Sequence, residues 1–86
     1  MSSAKVRLFA GLAELAGTRE AEVELGEGLT AAGVFDVLVQ RYPSLAGFEA
    51  IVRFAVNSAY VPASHPVRDG DEVALIPPVS GGSRAV

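Results

Sequence analysis

The chain has 86 residues, of which 50% are hydrophobic, and its 7 Lys+Arg against 10 Asp+Glu give a formal net charge of −3. This length predicts one small domain with a single core. The acidic balance disfavours nucleic acid as a partner, because phosphates are contacted by lysine and arginine. The cysteine count is 0, which excludes disulfides, thiolate catalysis and zinc–sulfur sites. No apolar run or leader indicates a membrane or secretory segment, so we expect a soluble cytoplasmic protein.

The first strand is predicted over residues 5–10, where apolar and polar side chains alternate. We place Val6, Leu8 and Ala10 on its inner face. Phe9 falls on the more polar face, which is an unusual position for a large apolar side chain. It is either an exposed binding residue or is packed beneath the segment that follows.

Glycines bound a short helical insert predicted over residues 11–17. A second strand follows over residues 20–25, with Glu20, Glu22 and Glu24 on one side. We interpret this acidic side as a solvated strand edge. A docking face for a basic partner is the alternative.

The rest of the chain predicts one long helix and three more strands. Thr30 is the expected N-cap of a helix over residues 31–42, which Pro43 ends. A loop with one helical turn is expected over residues 44–50. The last strands are predicted at 53–57, 60–61 and 72–76. The fold class is therefore an α+β roll: a mixed sheet of four to five strands, covered by one main helix and the short insert.

Catalytic and metal-binding groups are sparse. His65, the one histidine, lies in a predicted turn, and we expect its ring to bond nearby backbone. Asp69, Asp71 and Glu72 surround Gly70 without the spacing of a calcium loop, so they predict a strand-entry turn. No metal site and no bound cofactor are predicted.

The composition of the C-terminal segment suggests a functional role. Two prolines end the last strand and stiffen the chain, and two glycines follow. An extended segment from Pro78 to Gly82 reaches roughly 17 Å and could thread a narrow channel. The threading residues are Pro78, Val79, Ser80 and Gly81. We divide the chain into a domain over 1–78 and a flexible tail over 79–86, for which a merely flexible terminus is the alternative.

Three runs resemble the MoaD/ThiS family of ubiquitin-like sulfur carriers: V-N-S-A-Y-V from position 56, H-P-V-R-D-G-D-E-V-A from position 65 and P-P-V-S-G-G from position 77. The opening K-V-R-L-F-A is also similar to the family's first strand. The resemblance extends over residues 5–82 and is greatest to the MoaD branch, the small subunits of molybdopterin synthase. It implies the β-grasp fold.

The resemblance also implies the chemistry. An ATP-dependent activating enzyme would adenylate the carboxylate of Gly82, and sulfur would then give a thiocarboxylate. The tail would enter the large synthase subunit and donate sulfur to precursor Z. The chain would not be an enzyme on its own, and ATP would be used by its partner.

Phe9, Tyr60 and Ile76 match positions through which the family contacts both partners. Ala13 stands where the family commonly has a basic residue, which implies that one partner ion pair is absent. Residues 83–86 follow Gly82, whereas the family ends at Gly-Gly. We expect a protease to remove them. The alternatives are a sibling carrier or protein modifier (thiamine, thionucleoside or cysteine biosynthesis) and a β-grasp interaction module without chemistry.

Overall fold

The computed structural model describes residues 2–77, which form one mixed sheet with helices. The elements in chain order are β1 (Ser3–Leu8), α1 (Ala10–Ala16), β2 (Glu20–Glu24), α2 (Ala31–Arg41), a 3-10 helix (Pro43–Phe48), β3 (Arg53–Val56), β4 (Ala59–Val61) and β5 (Glu72–Ile76). Within residues 2–77, no helix has the length and apolar character needed to cross a membrane. The predicted order of strands and helices is confirmed.

The sheet has the strand order β2-β1-β5-β3-β4. Its central pair, β1 and β5, is parallel, with Val6 opposite Val73 and Leu8 opposite Leu75. The other neighbours are antiparallel. The last strand within residues 2–77, β5, therefore lies in the middle of the sheet.

The core lies between α2 and one face of this sheet. Helix α2 contributes Val34, Phe35 and Leu38, all buried. The Phe35 ring meets Phe54 of β3 edge to face, with centroids 6.3 Å apart. Apolar residues at helical spacing on α2 thus pack against alternating residues of the strands, as the sequence predicts.

The start of α2 is capped by two separate segments. Thr30 Oγ1 accepts a hydrogen bond from Gly33 N at 3.2 Å, as expected for an N-cap. The amides of Ala31 and Ala32 donate to the carbonyls of His65 and Ala63, both at 2.9 Å. His65 thus acts through its backbone. Within residues 2–77 its ring forms no hydrogen bond, so the expected ring bond is wrong.

Some predicted boundaries were wrong. Strand β1 begins at Ser3, because Ser3 pairs with Glu24 of β2. It ends at Leu8, and Ala10, predicted on the inner strand face, is exposed and begins α1 with φ 51°. Helix α2 ends at Arg41, one residue earlier than predicted, because the 3-10 helix begins at Pro43.

Candidate functional site: the open sheet face

The sheet face opposite α2 carries a row of side chains that spans all five strands. Cross-strand register places Glu20 beside Arg7, Arg7 beside Ala74, Ala74 beside Ala55, and Ala55 beside Tyr60. The row is charged on β2 and β1 and uncharged on β5, β3 and β4. We call this surface the open face.

A second row lies at the end of the open face from which β5 leaves. Phe9 N donates to Leu75 O at 3.3 Å, so the β1–β5 ladder continues and Phe9 comes beside Ile76. Ile76 in turn lies opposite Arg53 of β3. The last residue of β5 is thus flanked by an aromatic ring on one side and an arginine on the other.

The three residues predicted to contact partners all lie on the open face. Phe9 is 45% exposed and Tyr60 is 73% exposed, while Ile76 is half-buried. The alternative that Phe9 is packed beneath the helical insert is wrong, because nearly half of its side chain is exposed. Exposed apolar patches are typical of interaction sites. The role of these three residues in binding a partner stays a prediction.

Two alanines complete the apolar part of the open face, and sequence reasoning missed them. Ala55 and Ala74 lie side by side between Tyr60 of β4 and Arg7 of β1, and Ile76 follows Ala74 on the same face of β5. Ala55 is buried and Ala74 is half-buried, so these two positions add little exposed surface between the larger residues. Only the pairing register identifies them, since an alanine in a strand carries no signal of its own.

Arg7 forms both ion pairs of the open face within residues 2–77. Arg7 Nε lies 2.9 Å from Glu72 Oε2, and Arg7 Nη2 lies 3.4 Å from Glu20 Oε2. Glu22 accepts a hydrogen bond from Ser3 Oγ at 2.9 Å. Strand β2 lies at the sheet edge with its glutamates exposed, which agrees with the solvated-edge interpretation.

Asp71 fixes the entry to β5. Its carboxylate accepts hydrogen bonds from Arg68 N at 2.8 Å and from Asn57 Nδ2 at 2.9 Å. Both bonds lower the pKa of Asp71, because they favour the ionised form. The bond from Arg68 N has the larger effect. The predicted strand-entry turn is confirmed. Within residues 2–77, no group of three or more His, Cys, Asp or Glu side chains could hold a metal ion.

Strand β5 ends at Ile76, and Pro77 is the last residue that the structure describes. The predicted carrier residue Gly82 and the threading residues lie outside the described residues, as do residues 83–86. The threading residues are Pro78, Val79, Ser80 and Gly81. Their roles and the boundary at residue 78 stay predictions.

The sheet order, the parallel central pair and the single long helix across one face define the ubiquitin-like β-grasp class. A crystal structure of SAMP1 from Haloferax volcanii superposes with a TM-score of 0.82 and 33% identity, covering 93% of this chain and 99% of that one. The chain belongs to the ThiS family, whose model matches residues 6–82.

Two relatives carry the same protein name. The molybdopterin synthase sulfur carrier subunit of Arabidopsis thaliana is 40% identical over 78 residues, covering 91% of this chain and 81% of that protein. The molybdopterin synthase sulfur carrier subunit of Mycobacterium tuberculosis is 43% identical over 65 residues, covering 76% of this chain and 78% of that protein. The family resemblance found in the sequence is confirmed.

Proposed function

We propose that this chain is the sulfur-carrier small subunit of molybdopterin synthase. The observation that carries the proposal is that the family match runs to residue 82, the second glycine of the P-P-V-S-G-G run. The names of the relatives in Arabidopsis thaliana and Mycobacterium tuberculosis support the same function. The chain acts as a carrier and is not an enzyme on its own.

The proposed chemistry takes place at the carboxylate of Gly82. That carboxylate attacks the α-phosphate of ATP on an adenylating partner, which releases pyrophosphate and leaves an acyl adenylate. A sulfur nucleophile then displaces AMP and leaves a thiocarboxylate. On the large synthase subunit, the thiocarboxylate sulfur attacks a carbon of precursor Z, displaces an oxygen leaving group and forms a thioester. Water then hydrolyses this thioester, which leaves the sulfur on the product and regenerates the Gly82 carboxylate. Because the chain has 0 cysteines, it has no thiol side chain that could carry the sulfur instead.

The open face supports this assignment by its position. Phe9 and Tyr60 project from the face and Ile76 ends β5, so a partner docked there lies beside the point from which the tail departs. The large synthase subunit and the adenylating enzyme would use this one surface in turn. Exposed aromatic residues are the usual anchors of such interfaces.

Residues 83–86 must be removed before the reaction, since a peptide bond otherwise occupies the Gly82 carbonyl. We propose that a protease cleaves after Gly82. Glycines on its N-terminal side offer no side chains that would obstruct a protease or an adenylation channel.

A protein-modifier function is the second candidate. It is favoured by the likeness to SAMP1 from Haloferax volcanii, which is also named small archaeal modifier protein 1. A modifier would form isopeptide bonds from Gly82 to lysines of other proteins. Such conjugates are detected in cell extracts as glycine-linked lysines, which a dedicated sulfur carrier would not form.

The test is reconstitution with the chain ending at Gly82. The protein is incubated with the adenylating enzyme, ATP and a sulfide source, and its intact mass is recorded before addition to the large subunit with precursor Z. We expect one oxygen to be replaced by sulfur, followed by formation of molybdopterin. The Gly82→Ala variant should fold but lose most transfer, and the chain of residues 1–86 should remain unmodified. Modification of the untrimmed chain, or wild-type transfer by Gly82→Ala, contradicts the proposal.

A further inference from the structure

We infer that Arg53 selects the partner of the open face by pairing with a carboxylate on that partner. The inference rests on the proposed function, in which the open face docks a larger subunit. It concerns a residue that neither the sequence motifs nor the family match distinguishes.

Arg53 is an exposed basic residue with no counterion among residues 2–77. Within residues 2–77 both ion pairs belong to Arg7, and the Arg41 guanidinium donates to Glu22 O at 3.0 Å. The Arg53 guanidinium forms neither a hydrogen bond nor an ion pair in that part of the chain. Its charge is thus available to a partner.

The surroundings of Arg53 on the open face are apolar. Ile76 lies directly opposite on β5, and Ala55 is the next residue of β3 on the same face. Register also brings Tyr60 beside Ala55. A partner that covers these residues takes Arg53 out of water as well.

Removal of an unpaired guanidinium from water is costly unless an anion is supplied. A carboxylate suits it best, because the planar fork of arginine donates two parallel hydrogen bonds to a carboxylate. The partner therefore presents an apolar surface with one aspartate or glutamate opposite Arg53.

The charge pattern also sets the direction of docking. The glutamates of β2 lie at one edge of the open face, and Arg53 lies in the other half, two strands from β1. A complementary partner fits in one orientation, since rotation by half a turn brings its carboxylate against the glutamates. Because Arg53 neighbours Ile76, that orientation also fixes where the tail enters.

The experiment measures the dissociation constant between this chain and the large subunit of molybdopterin synthase from the same organism. We expect Arg53→Glu to raise it at least about 30-fold and Arg53→Lys to raise it only severalfold. Arg68→Glu is the matched control, since it makes the same charge change where β5 begins, at the far end of the strand. It should alter binding less than about threefold. Thermal unfolding of all variants should stay near that of the wild type.

A charge swap completes the test. One acidic residue of the large subunit, changed to lysine, should restore binding to Arg53→Glu. If the wild type binds but Arg53→Glu binds equally well, the role of Arg53 is overturned and the proposed function stands. If the wild type does not bind the large subunit, the proposed function is overturned and this inference with it.

Discussion

Positive φ angles at Asn57 (51°) and Ser58 (74°) form the two-residue turn between β3 and β4. Such turns match the twist of the flanking strands and favour asparagine followed by glycine. Asparagine tolerates the left-handed region, whereas serine is strained there. Asn57 also donates to Asp71 Oδ1 and accepts from Glu72 N at 3.0 Å, so its side chain has a structural task that Ser58 lacks.

Replacement of each turn residue by glycine should therefore change stability in opposite directions. We expect Ser58→Gly to raise the free energy of unfolding by about 0.5–1 kcal/mol, because the strain at φ 74° is relieved. Asn57→Gly should lower it by about 1 kcal/mol or more, because two hydrogen bonds are lost. Urea denaturation measures both. A change of the same sign in the two variants would show that the turn does not act in this way.

At the scale of elements, Asp71 connects the β3–β4 turn to the start of β5. Its carboxylate accepts from Asn57 on one side and from Arg68 N on the other, and its carbonyl accepts from Lys5 N of β1 at 3.1 Å. One residue thus joins three segments of the sheet. Its ionised form is the one that these donors favour.

The pKa of Asp71 predicts how stability responds to acid. Because the pKa is lowered in the folded protein, the ionised carboxylate stabilises the fold above its ordinary pKa, about 4. That contribution is lost as the pH falls through the lowered value. Asp71→Asn should be less stable at neutral pH and should lose less stability below about pH 4. Equal acid responses of Asp71→Asn and the wild type would contradict the assignment.

Elements with strong periodicity were predictable, and single residues within loops were not. Strand β5 has the predicted bounds. Its inward-facing and outward-facing residues alternate, and the strand is bounded by a turn before it and a proline after it. Val67 is buried in the core, but it lies alone among turn-forming residues and gives no period to detect. Ala10 continues the alternation of β1 in the sequence, yet the chain turns there into α1. The register that places Ala55 beside Ala74 depends on strands distant in sequence and could not be predicted.

In the whole molecule, the residues that stabilise the fold and the residues proposed to bind a partner lie on opposite faces of the sheet. Its inner face and α2 form the core, whereas the open face carries Phe9 and Tyr60 in water. The open face can change its side chains without altering the core. Strand β5 lies in the middle of the sheet and ends at Ile76, so a partner that docks on the open face, as proposed, would lie beside Pro77.

This separation predicts the behaviour of Phe9→Ala. Affinity for the large synthase subunit should fall about tenfold or more, since an aromatic anchor is lost, whereas the free energy of unfolding should change little. Leu15→Ala is the matched control, because Leu15 is also 45% exposed but lies on α1. It should leave the affinity within about twofold. A large loss of stability in Phe9→Ala with unchanged binding would place Phe9 in the core instead.

The intact mass of the protein isolated from its own cells shows whether Gly82 becomes the sulfur-bearing terminus. We expect a species that ends at Gly82, with a fraction of the molecules carrying sulfur in place of one oxygen. A single species that retains residues 83–86 while the cofactor is being made would contradict it. The chain would then be a binding module with a carrier's fold.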